Sequence, residues 1–152
     1  MSYSKGEIED AIISSLAPLH QGQGGDVKKI AGYQGELDED NLTQFIVQFP
    51  AILVAFGGSI YKEDAFPYMV EEMTYSLLIN DRNMRGNEAA RKGSPLTAGT
   101  YSLMQQVRDN LHGKRLGLSI DPLVLLRETA LVNTKTVSIY SAEYMVKQKI
   151  RE

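Results

Sequence analysis

A chain of 152 residues with 43% apolar and 23% charged side chains can bury a sizeable core, which excludes a disordered polymer. The absence of cysteine excludes a disulfide framework and any thiolate metal site, so packing and hydrogen bonds must hold the fold. The net charge of −3 offers nucleic acid no general attraction, the start MSYSKGEIEDAII lacks a signal-peptide core, and no stretch approaches the roughly 20 apolar residues that span a bilayer.

Ser4 opens the first predicted helix. Its hydroxyl can cap the first turn while Glu7, three residues on, returns a bond to the cap, and Ile8, Ile12 and Leu16 then share one face. Pro18 stops that helix. The stretch HQGQGGD at residues 20–26 reads as a flexible loop, because its glycines carry backbone freedom that folding must remove. An extended piece over residues 27–31 follows. Asp38, Glu39 and Asp40 put negative charge where a second helix begins, and Leu42, Phe45, Ile46 and Phe49 supply its buried face before Pro50 closes it. The run AILVAF at residues 51–56 is short, apolar and bounded by Gly57 and Gly58, which predicts a strand in the middle of the sheet that ends at those glycines.

Over residues 68–79, Met73, Tyr75, Leu77 and Ile79 alternate with Glu72, Thr74, Ser76 and Leu78, the period of two expected when one sheet face meets a core. Beyond residues 82–99, Thr97 or Thr100 can cap a helix in which Tyr101, Met104, Val107 and Leu111 recur at helical spacing, ended by Gly113. Residues 123–132 and 136–146 are both strand-like, and Asn133 with Thr134 can turn the chain between them. The order is α, α, β, β, α, β, β. Strands in blocks, rather than in strict alternation with helices, predict an α+β fold: one domain over residues 1–152, a mixed or mainly antiparallel sheet of about four to five strands, and two to three helices packed to one side of it.

Few residues invite chemistry. His20 and His112 are the only histidines, and with no cysteine or acidic cluster beside them they do not complete the three or four ligands zinc needs. His112 is read as a cation at the negative end of its helix. Gly22, Gly24, Gly25, Lys28 and Lys29 resemble a phosphate cradle only superficially, since the stretch follows a helix and precedes an extended segment, the reverse of a P-loop. Glu63 with Asp64, and Glu71 with Glu72, are paired acids that can serve magnesium if neighbouring strands bring them together. A nuclease would add a nearby lysine, and none follows Glu72. No G-x-S-x-G elbow is present. The expectation is a protein with no catalytic, cofactor-binding or metal-ligating residues.

Residues 82–99, RNMRGNEAARKGSPLTAG, form an 18-residue connection between a strand and a helix, a length that is uncommon unless functional or disordered. Arg82, Arg85, Arg91 and Lys92 outnumber its single acid, Glu88, and are the candidate subunit-contact residues. The charge of the whole chain is uneven as well: −5 over residues 1–50, −1 over 51–100 and +3 over 101–152. Opposite ends of like subunits can therefore attract head to tail, within the screening length of about 10 Å at 0.1 M salt.

The blocks IEDAI (residues 8–12), GYQGEL (32–37), PAILVAFGG (50–58), NDRNMRG (80–86) and GTYSLMQQVRDNLHGKRLGL (99–118) together resemble the phage Mu gene product thirty-seven family, nearly end to end. The resemblance implies a structural protein of tail assembly at the head–tail junction, similar to tail terminators or neck subunits, which share a small α+β domain. Its implied partners are tail tube, sheath or neck proteins, with a homo-oligomeric ring in the assembled particle and a location in the virion or, during assembly, the host cytoplasm. No membrane contact and no direct nucleic-acid readout is expected. Two other readings stand beside it: a monomeric tail-assembly adaptor and, more distantly, a metal-dependent nuclease acting through Asp64, Glu71 and Glu72. A basic segment that orders only on assembly would lose its entropy at that moment and so hold free subunits apart.

Overall fold

The computed structural model describes residues 2–82, 99–134 and 136–151. The capping box at Ser4 is present: the Glu7 N–H donates to Ser4 Oγ at 3.1 Å, the Ser4 N–H donates to Glu7 Oε1 at 2.9 Å, and α1 runs Lys5–Ser15 from that cap. The glycine stretch at residues 20–26 is a hydrogen-bonded turn, in which the Gln21 N–H reaches the Val27 carbonyl at 2.9 Å and the Val27 N–H reaches the Leu19 carbonyl at 3.0 Å. A Cβ on Gly25 would stand 2.1 Å from the Leu19 carbonyl oxygen, so this close crossing requires glycine. The stretch is a hydrogen-bonded corner with mostly exposed residues, and no helix leaves it as a phosphate cradle would need.

The remaining elements are β1 (Lys29–Gly32), α2 (Glu39–Phe45, continued by a 3-10 turn at Ile46–Gln48), β2 (Ala51–Glu63), β3 (Tyr68–Arg82), α3 (Thr100–Leu111), β4 (Val124–Asn133) and β5 (Val137–Arg151). They make one sheet in the order β1-β2-β3-β5-β4. β1 is parallel to β2 and every other neighbour is antiparallel, which gives the mixed α+β arrangement expected.

Three expectations change. The strand in the middle is β3, and β2 lies second from one edge, because the extended piece after the glycine corner adds as the parallel strand β1 outside it. Gly57 and Gly58 do not end β2; they form a bulge opposite Tyr75 and Thr74, and the strand continues to Glu63. Gly58 has φ 141°, where a side chain is strained, so the pair bends the strand without stopping it. The helices also lie on both faces. On one face α1 covers β1 and β2 and α3 covers β3 and β5, with Ile8, Ile12, Leu16, Leu103, Val107 and Leu111 against Ile52, Val54, Tyr75 and Leu77. On the other, Phe45 and Phe49 pack edge to face at 5.4 Å over Ala51, Leu53, Val137 and Ile139.

The double cover explains residues 51–54. All four are fully buried, alternate members feeding opposite cores, so an unbroken apolar run was the correct pattern for this strand. At about 1.5–3 kcal/mol for each large apolar side chain fully buried, this short run anchors both layers. At the start of α3, the residue preceding the helix is Gly99, with φ 82° and no side-chain cap; Thr100 is the first helical residue, and its hydroxyl meets Ser138 Oγ at 3.1 Å. Thr97 lies outside the described residues.

Candidate interaction surface

The strands outrun the helices. β3 and β5 have 15 residues each, roughly 50 Å at strand rise. α3 has 12, roughly 18 Å. The uncovered end is a three-stranded arm made of the β2–β3 hairpin and the end of β5, joined by pairs from Glu71↔Gln148 to Tyr68↔Arg151.

Glu71 is the centre of this arm. It is buried, and its Oε2 accepts from Ser59 Oγ at 2.8 Å, Tyr61 OH at 3.0 Å and Lys5 Nζ at 3.2 Å, while Oε1 accepts from Gln148 Nε2 at 2.9 Å. Gln148 also donates to the Tyr3 carbonyl at 3.0 Å and accepts from the Tyr3 N–H at 2.8 Å, which ties the N-terminal residues to the same node. Burial alone would raise the Glu71 pKa; the bonds from Gln148, Ser59, Tyr61 and Lys5 outweigh it and hold the carboxyl below its ordinary value. A carboxylate with four donors has little acceptor capacity left for a metal.

Glu72 points to the opposite sheet face, as its neighbouring position in a strand requires. There it is bridged by Lys62 at 3.1 Å and Lys147 at 3.3 Å, hydrogen bonds that hold its carboxyl below the usual range against the opposing effect of burial. Asp64 pairs with Lys149 at 3.2 Å. Of the acids weighed for magnesium, Glu71 and Glu72 are divided between two faces, and these two and Asp64 each have a cation beside them, whereas Glu63 ends β2 exposed; among the described residues no group of three or more potential ligands assembles.

Both histidines are structural brackets. His20 Nδ1 accepts from the Gly22 N–H at 3.0 Å and Nε2 lies 3.1 Å from the Lys28 carbonyl. His112 Nδ1 accepts from the Leu125 N–H at 3.1 Å, a bond that pins the end of α3 to β4.

Of the four candidate contact residues, Arg82 alone is described. It ends β3 half-buried opposite Val137, and its N–H donates to Asp81 Oδ1 at 2.8 Å. Arg85, Arg91 and Lys92 lie outside the described residues. Asp81 itself is fully buried, with Oδ2 lacking a partner among the described residues. Burial pushes its pKa up to about 6, against the lowering effect of the Arg82 and Gly99 amides.

Exposed apolar side chains gather in two places. On the arm, Phe66 at the hairpin tip is 86% exposed, Ile60 64%, Tyr61 50% and Tyr68 39%. On the outer strand β4, Val124, Leu126 and Leu131 are exposed, the last two at the two points where its register shifts. The sequence reading missed the arm. The signal was available in YKEDAFPYM (residues 61–69), where aromatics flank a short polar turn between two alternating runs. The arrangement offers rigid aromatic contact area and no convergent nucleophile, base and oxyanion donor among the described residues.

Among the described residues no helix is long and apolar enough to cross a membrane. No curated protein matches this sequence. A family model described as Bacteriophage Mu, Gp37 matches residues 6–149, and the chain belongs to that family.

Proposed function

We propose that this member of the bacteriophage Mu Gp37 family is a structural, non-enzymatic subunit of tail assembly that works at the head–tail junction as a tail terminator or neck component. In this reading it resides in the virion and, before that, in the host cytoplasm, and its partners are tail tube, sheath or neck proteins. The observation that carries the proposal is the arm. Phe66, Tyr61, Tyr68 and Ile60 project from a part of the sheet that no helix covers. Aromatic side chains of this kind are the usual energetic anchors of protein interfaces. The Glu71 node holds their strands in place before any partner arrives, which lowers the ordering entropy that binding must overcome. A second reading, the monomeric adaptor, is favoured by one observation: the two bulges of β4 are a common device for blunting an edge against like copies.

The experiment is deletion of the gene in its own phage or prophage, followed by electron microscopy of the lysate. The expected result is separate heads and tails, rescued by the natural chain and not by Phe66→Glu, although that variant folds. Joined, infectious particles from the deletion would overturn the assignment. Counting copies per tail distinguishes a ring, with several, from an adaptor, with one.

A further inference from the structure

The arm leaves two strand edges open, and they are not alike. β1 ends at Gly32, paired with Val54, so over residues 55–63 β2 has no strand on the side away from β3 among the described residues. β4 begins at Val124, paired with Met145, so residues 146–151 of β5 are open in the same way on the opposite side. An open edge presents a row of backbone donors and acceptors that fits another strand, and proteins blunt such edges with charge, bulges or cover. The β5 edge is blunted: Lys147, Lys149 and Arg151 stand along it, and the Asp121 N–H already donates to the Lys147 carbonyl at 3.1 Å. Of the sheet's two outermost strands, β4 carries two bulges and β1 has only four residues.

The β2 edge is blunted least. Its bulge at Gly57–Gly58 lies before Ser59, and from Gly58↔Thr74 to Glu63↔Met69 the register with β3 is unbroken. The one cation on this stretch, Lys62, is turned across the face to Glu72 at 3.1 Å. Ile60, Tyr61, Lys62 and Glu63 are exposed. The direction of the backbone groups follows from the hairpin turn: the Asp64 N–H donates to the Tyr68 carbonyl at 3.3 Å, so Asp64 faces β3, and alternation turns the N–H and C=O of Ser59, Tyr61 and Glu63 away from it. These residues offer donors and acceptors at every second position, a spacing that an extended chain matches. We propose that β2 receives, along Ser59–Glu63, an extended segment of another tail protein as an added strand. The segment would be apolar at two neighbouring positions, one beside Ile60 on one face and one beside Tyr61 on the other. The inference rests on the tail-assembly reading above and specifies how the arm holds its partner. A second copy of this chain fits the edge less well: residues 55–63 give nine residues a side, against the roughly 20–30 of a stable interface between folded proteins. A segment that belongs to a larger partner needs only the backbone bonds and the two side-chain contacts.

Hydrogen exchange read amide by amide tests it, on the free chain and on assembled particles dissolved after the exchange. In the free chain Ser59, Tyr61 and Glu63 should exchange faster than Ile60 and Lys62, whose N–H groups face β3. In particles those three amides should slow by about tenfold or more. Glu63→Pro removes one outward N–H and leaves the bonds to β3, whereas Glu63→Ala removes the same side chain and keeps the N–H. Each folded by its thermal melt and put in competition with the natural chain, the alanine variant should enter particles equally and the proline variant about tenfold less. A photo-cross-linker in place of Glu63 should join the chain to a different tail protein; a product of two copies of this chain would overturn the proposed occupant. If Tyr61 and Phe66 are shielded in particles while the three amides exchange as in the free chain, or if the proline variant competes as well as the alanine one, strand addition is wrong and the arm remains a side-chain contact. If joined, infectious particles form without the gene, the assembly reading fails and takes this contact with it.

Discussion

Residues 51–54 at the start of β2 are shut off from water on both faces, whereas Ile60 and Tyr61, farther along the same strand, stand half or more exposed. Between them lies the Gly57–Gly58 bulge, and on either side of it the sheet is held by different forces. The covered half rests on apolar side chains from three helices. The arm has almost no apolar core and is held by a buried carboxylate with four donors and by cross-strand ion pairs on its other face. A strand stabilised by polar bonds to its neighbours does not need its aromatics for packing. Phe66 is then free to meet another protein, and Tyr61 and Tyr68 keep exposed faces although Tyr61 donates to Glu71 and Lys149 lies over the Tyr68 ring.

The largest predicted effect is in the covered half. Leu53→Ala leaves a cavity beneath Phe45 and Phe49 and should cost about 3 kcal/mol of global stability, read as a lower urea midpoint with an unchanged slope. Glu71→Ala should cost about 2 kcal/mol, because it strands the buried amide of Gln148 and removes the acceptor of Ser59 and Tyr61. Its signature is local: faster hydrogen exchange over residues 59–73 and 145–150 with α1 and α3 still protected. Equal loosening of both halves would erase the distinction between them. The pH sign follows from the lowered pKa: the Glu71 contribution is present above the unfolded value and is lost as pH falls through the folded one.

Asp81 behaves the opposite way. Its folded pKa of about 6 lies above the ordinary 3.8, so the folded state holds the proton more tightly and stability falls as pH rises between those values. Asp81→Asn keeps the acceptor for the Arg82 N–H and should raise stability at pH 8 by about 1 kcal/mol, a gain that vanishes at pH 4. Thermal melts at the two pH values decide this, and an equal shift at both would contradict it. The smallest effect is at the tip: Phe66→Ser should change stability by no more than about 0.5 kcal/mol, since its ring buries almost nothing in the free chain.

What could be read from the residues follows the range of the forces involved. The Ser4–Glu7 cap, the alternation of β3 and the C-terminal hairpin are local patterns, and each stands where it was expected. The place of β1, the second core above Ala51 and Leu53, and the passage of β2 through its glycines depend on partners distant in the chain, which periodicity does not carry. Glu71 and Glu72 show the same limit at the level of a site. As neighbours they resemble a paired acid; only strand geometry shows that they serve opposite faces. The aromatics around Phe66 were visible in the sequence, but their exposure was not. It depends on where the helices stop.

The central claim is that the arm is a surface prepared for a partner, and oxidative footprinting of Tyr61, Phe66 and Tyr68 tests it most directly. The free chain should label strongly at all three, and the same residues should be protected in assembled particles while the buried ring of Phe49 stays weakly labelled in both states. Equal labelling of the arm in the free and assembled states would contradict the account.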